Sequence, residues 1–174
     1  LHSLADVAVF DPKAGKWAPG VPLPAGRSSH DVVGVGSRLV VVGGWRMAAG
    51  AKPEWHDTAL VFDTAAASPK WEPIPQPFKR RALTAAAVGN KVYVIGGLTE
   101  SGESVRTVNV LDVATGKWAD GPDFPGTDRV GFSPAAAAVG GRLVLSSSDK
   151  NVHALNAAGT AWEKVGTTAA SRLV

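Results

Sequence analysis

A chain of 174 residues, 45% of them hydrophobic, is long enough for one domain with a sizeable core. Its 18 basic residues exceed its 15 acidic ones by only three, and the two signs are interspersed, so no nucleic-acid partner is demanded. The absence of cysteine excludes disulfides, thiolate metal centres and cysteine nucleophiles.

The chain opens at Leu1 with no charged segment leading into an apolar run, so neither a signal peptide nor a membrane span is expected, and it reads as a piece of something longer. No Asn-x-Ser/Thr sequence points to secretion, and the compartment is left open. The first element, over residues 4–19, is the strand Val7-Ala8-Val9 running into Phe10-Asp11, a turn with Pro12 and Gly15, and a second strand beginning at Trp17. Residues 28–75 then read as a hairpin, Asp31–Val35 with Arg38–Val42, closed by Gly43-Gly44. A loop follows, and then the phrase Phe62-Asp63 to Trp71. Residues 81–121 repeat the unit: Ala85–Val88, Lys91–Ile95, Gly96-Gly97, then Leu111-Asp112 to Trp118. Residues 132–166 repeat it again with Ser146-Ser147 in place of the glycine pair, ending on Leu155-Asn156 and Trp162. Residues 167–174, with Arg172, read as the opening of a further unit.

The Asp or Asn of the phrase recurs after 52, 49 and 44 residues, the length of one four-stranded propeller blade, and no segment sustains a helical apolar period. A hydrophobic strand closing in Gly-Gly, a variable loop, an apolar strand ending near Asp, and a Trp shortly after resemble the Kelch repeat. The resemblance covers nearly the whole chain. It implies an all-β fold, a Kelch-type β-propeller of four-stranded antiparallel blades, with about three complete blades and partial blades at both ends. It also implies likeness to the galactose-oxidase-like and sialic-acid-epimerase-like propellers. In such a ring the bare faces of the end blades need covering, by further blades or, less favourably, by a second copy.

Most conspicuous residues have structural explanations. Trp17, Trp71, Trp118 and Trp162 are placed to fill space between blades, the glycine pairs to allow close approach or positive φ, and the recurring Asp or Asn to cap its turn. The four histidines share no metal-ligand spacing, and Ser28, Ser29, His30 and Asp31 lie on one strand, whose neighbours point to opposite faces, so no metal, cofactor or catalytic set is expected.

The functional expectation is positional. Tight turns at Gly36-Ser37, Gly89-Asn90 and Gly140-Gly141 occupy one face of the disc, whereas the connections between blades and the long middle loops occupy the other. That variable face is expected to carry Arg27, Arg80 or Arg81, Arg129 and Arg172, with Trp45, Arg46, Met47, Glu54, Trp55 and His56 in the first long loop. Thr99, Glu100, Ser101, Glu103 and Arg106 lie in the second, and Ser147, Ser148, Asp149 and Lys150 in the third. Loop-borne Arg and Trp favour binding, so Arg27, Arg80, Arg129, Trp45, Arg46, Trp55 and His56 are the candidate binding residues. The competing reading of each arginine is that it bonds the end of a neighbouring strand. A non-catalytic scaffold for an acidic or polar protein or peptide is the first expectation. A carbohydrate-binding or carbohydrate-active propeller, with arginines gripping a sugar carboxylate and a Trp stacked on its ring, is the alternative. Neither nucleic acid nor membrane is expected as a partner.

Overall fold

The computed structural model describes residues 1–171; Arg172 and the rest of 172–174 lie outside the described residues. The chain begins with a hairpin of β1 (Ala8–Asp11) and β2 (Lys16–Pro19). The first four-stranded sheet is β3 (Asp31–Val35), β4 (Arg38–Val42), β7 (Thr58–Asp63) and β8 (Trp71–Pro75), with the short pair β5 (Trp45–Arg46) and β6 (Glu54–Trp55) inserted in its long loop. The second is β10 (Thr84–Val88), β11 (Lys91–Ile95), β13 (Val108–Asp112) and β14 (Lys117–Gly121), where β9 (Arg80–Arg81) pairs with β12 (Leu98–Thr99) above the sheet. The third is β15 (Ala135–Val139), β16 (Arg142–Ser146), β17 (Asn151–Leu155) and β18 (Trp162–Thr167). All pairings are antiparallel, and within each four-stranded sheet the strands lie side by side in chain order. The leading strand β10 packs against both β3 and β15, so the first strands gather at a common axis and the sheets radiate from it, as in a β-propeller.

The continuous apolar runs follow from this stacking, because a middle blade is covered on both faces and both phases of the strand alternation must be apolar. In β11, Val92 and Val94 enter a core shared with Val40 and Val42 of the first sheet, while Ile95, in the other phase with Tyr93, enters a core shared with Leu143 and Leu145 of the third. In β4, Val41 turns the opposite way, toward Leu23. Where a face lacks a neighbouring sheet, apolar side chains stand open: Trp17 is 69% exposed and Val139 60%.

Trp71, Trp118 and Trp162, at the start of the outer strands of the three four-stranded sheets, meet the connector leading in from the preceding unit, whereas Trp17 packs on Phe10 of its own hairpin and stays exposed. Trp71 Nε1 donates to Val21 O (2.9 Å), Trp162 Nε1 to Pro122 O (2.8 Å), and Trp118 takes the Phe78 ring edge-on at 5.5 Å. The recurring Asp or Asn caps its turn as expected: Asp112 Oδ1 accepts from Ala114 and Thr115 N–H, and Asn156 Oδ1 from Thr160 N–H.

Gly96 and Gly97 need to be glycine. Both have positive φ (68° and 105°), and a Cβ on Gly96 would lie 2.5 Å from Gly131 O, the backbone of the next connector. The strand register places Val42, Ile95 and Ser146 at equivalent sites, so the third counterpart of the glycine pair is Ser147-Ser148 rather than Ser146-Ser147. Lacking glycine there, the third loop takes its positive φ at Lys150 (68°) and closes with Lys150 N–H on Ser147 O (3.1 Å).

Candidate functional site

The tight turns at Gly36-Ser37, Gly89-Asn90 and Gly140-Gly141 lie at one end of the sheets, and the connectors and long loops at the other. The connectors enter by a repeated geometry. Gly44 N–H donates to Arg80 O and Gly97 N–H to Gly131 O, both at 2.7 Å; Ala82 N–H donates to Ser29 O and Ser133 N–H to Ala82 O, both at 3.0 Å. Ser29, Ala82 and Ser133 hold φ of 52°, 49° and 45°. This backbone chain ties consecutive blades at their inner edge.

Arg27 and Arg80 sit just before it, and both are buried. Arg27 Nη1 donates to Gly43 O and Thr58 O at 3.0 Å, and Arg80 Nη1 to Gly96 O (2.8 Å) and Thr107 O (3.0 Å), with Nη2 on Asn109 Oδ1. Each guanidinium therefore pins the end of its blade's second strand to the start of the third. Of the two roles the sequence left open, this is the geometry of bonding to strand ends. Burial pulls both guanidiniums down to about 10, partly offset by Asp57 for Arg27 and by Asp123 for Arg80, so both remain charged at neutral pH.

Arg129 is placed differently. It lies exposed in a 3-10 turn (Asp128–Gly131), and the residue equivalent to Arg27 and Arg80 is Gly131, where an added Cβ would collide with Val105 O. Arg27 and Arg80 each stand 16 residues before the carbonyl they bond, and that spacing, counted from Ser147, would have found Gly131.

The residues that do come together are those of the first long loop. Trp45 pairs with Trp55 across β5 and β6, their rings 5.3 Å apart, and Arg46 meets Glu54 at 3.5 Å on the exposed rim. The Arg81 guanidinium of the second blade lies 4.0 Å over the Trp45 ring and 5.9 Å from Trp55. Arg81 entered the sequence reading only as an alternative to Arg80. Below this cluster His56 Nε2 meets Gly26 O at 3.1 Å, and the His56 N–H donates to Gly44 O at 3.2 Å. Burial, with the charge of Arg27, lowers the pKa of both His56 and His30 and keeps the rings neutral. In the second loop Arg106 holds Asp128 at 3.1 Å and Phe124 O at 2.7 Å. Among the described residues, no three His, Asp or Glu side chains gather as they would around a metal ion.

Comparison with known proteins agrees with this architecture. The Kelch motif matches residues 79–125. The chain is 30% identical over 126 residues to Kelch-like protein 35 of Mus musculus, covering 72% of this chain and 20% of that protein. It is 27% identical over 136 residues to Kelch repeat and BTB domain-containing protein 12 of Danio rerio, covering 71% and 22%. The chain thus spans about a fifth of the length of the curated relatives it matches. The solved structure of YjhT superposes with a TM-score of 0.76 at 16% identity, over 97% of this chain and 64% of that one, a likeness of fold. The recurring unit, the radial stacking of its sheets and these matches identify the chain as blades of a Kelch-repeat β-propeller.

Proposed function

We propose that the chain is a non-catalytic scaffold that binds a protein or peptide through the face bearing the connectors and long loops. The observation that carries this reading is the hairpin 45–55. It stands outside the repeat, is braced by Trp45, Trp55 and Arg81, and presents Arg46 and Glu54 on its rim. Aromatic and arginine side chains on a braced loop lose little entropy on binding and supply most of the energy at protein interfaces. Similarity to a Kelch repeat and BTB domain-containing protein supports an adaptor role, since an attached recruiting domain suits a scaffold.

Carbohydrate binding has less support. The Trp45 face that would stack on a sugar is taken by Arg81, and the Arg27 and Arg80 guanidiniums are bonded to backbone. The test is site-specific photo-cross-linking in the full-length protein. A photoreactive residue at Ala48, on the hairpin tip, should yield protein adducts that Arg46→Glu with Trp55→Ala abolishes, and one at Asn90, on the tight-turn face, should not. Adducts from Asn90 alone would overturn the assignment.

A further inference from the structure

We propose that the surface around Phe78, on the same loop-bearing face, binds an extended lysine- or arginine-rich segment of a protein partner. This rests on the reading that the loop face is the binding face, and adds the partner's chemistry and place.

The connector Pro77-Phe78-Lys79 is bordered by two hollows, of about 670 Å³ and about 570 Å³, which share these three residues and Thr99. They form one open surface on either side of the connector, shaped for a length of chain rather than for an enclosed small molecule. Asp57 and Glu100 line the first hollow, Asp120 and Asp123 the second, and all four are exposed.

Against these carboxylates stand two lining cations. Lys79 is exposed, whereas Arg80 is buried with its guanidinium bonded to the Gly96 and Thr107 carbonyls. The surface offered to a partner is therefore acidic, the opposite of what an exposed ring of Arg27 and Arg80 would have made it.

Phe78 supplies the apolar part. Its ring lies 4.2 Å from the Arg80 guanidinium carbon and packs on Trp118, and it remains half-buried, so it is rigidly held with surface to spare. A chain laid across it would rest apolar stems on Phe78 and place cationic heads on carboxylates to either side, as long lysine and arginine side chains allow. Because the carboxylates flank a connector and do not converge as metal ligands do, they suit cations spaced along a chain.

The probe is a fluorescein-labelled short peptide alternating lysine and leucine, with a glutamate–leucine counterpart, titrated by fluorescence polarisation against the full-length protein. The lysine peptide should bind and weaken as salt rises. Glu100→Lys with Asp123→Asn should weaken it about tenfold or more, and Glu100→Lys alone, which alters only a fully surface-borne group, about threefold. The glutamate peptide should not bind. Equal binding of the glutamate peptide, no binding of the lysine peptide, or indifference to Glu100→Lys overturns the proposal. Cross-linking the bound lysine peptide separates the two readings. Adducts at hairpin 45–55 would sink the Phe78 site and leave the loop face standing, whereas adducts at Ser37 or Asn90 would sink both.

Discussion

Arg27 and Arg80 illustrate how one residue type at one repeat position carries two readings that sequence cannot separate. An arginine near a channel mouth can face solvent or turn inward, and the choice depends on whether strand-end carbonyls lack partners nearby. Here Gly96 O and Thr107 O converge on Nη1 of the Arg80 guanidinium, while its other terminal nitrogen, Nη2, holds Asn109 Oδ1. Arg80→Ala should therefore cost about 3 kcal/mol in urea unfolding, since it strands the buried Gly96 carbonyl and removes the bond to Asn109, while Thr107 O keeps the Gly96 N–H, and Arg80→Lys should recover only part of this. A loss of binding in Arg80→Ala with unchanged stability would instead reveal a surface role. The histidines near Arg27 make a second prediction. The pKa of His30 and His56 is lowered in the fold, mainly by burial, then by Arg27, with Asp31, Glu54 and Asp57 opposing in part. Both rings are neutral in both states above the unfolded value of about 6.5. As pH falls below it the unfolded chain takes up protons first, so stability should drop until the lowered folded values are passed. Urea midpoints at about pH 7.5 and about pH 5.5 should diverge, and His30→Asn should narrow the gap.

At the scale of the element, strands and capped turns were legible because each has a local signal: apolar runs, a glycine pair, an Asp before a turn. The junction between blades was not. Ser29, Ala82 and Ser133 share a left-handed backbone, yet nothing in Ser or Ala announces it, and only the exchange of inter-blade hydrogen bonds imposes it. Arg129 shows the same limit from the other side. The sequence sets Arg129 beside Arg27 and Arg80 on the variable face, whereas the 3-10 turn shifts the register so that Gly131 holds their place. The strain at the junction predicts that Ala82→Gly stabilises the protein by about 0.5 to 1 kcal/mol, relief of the left-handed conformation outweighing the extra freedom of the unfolded chain. Ala82→Val should do the reverse, a β-branched side chain being poorly tolerated at that φ. Thermal melts of the two variants check the pair, and equal melting would mean that the junction is unstrained.

For the whole molecule, a ring of repeats is held by what passes between neighbours, and here three kinds of contact do so. Apolar cores fill each interface, the backbone chain at the inner edge fixes spacing, and side chains at the loop end reach across. The first was readable from strands apolar in both phases. The last was not, because Trp45 belongs to a loop outside the repeat and lies 36 residues from Arg81 in sequence. Their contact at 4.0 Å joins the first blade's long loop to the second blade's entry strand, so it bears on the hairpin's bracing as well as on stability. A cation over a partly desolvated indole should contribute about 1 kcal/mol. A cycle of Trp45→Ala, Arg81→Ala and the double variant should therefore show a coupling of that size in urea unfolding. If the losses instead add within about 0.3 kcal/mol, the pair merely touches, and the hairpin's orientation must be set by its backbone contacts, those of His56, of Trp45 with Ser28 and of Met47 with Ser3.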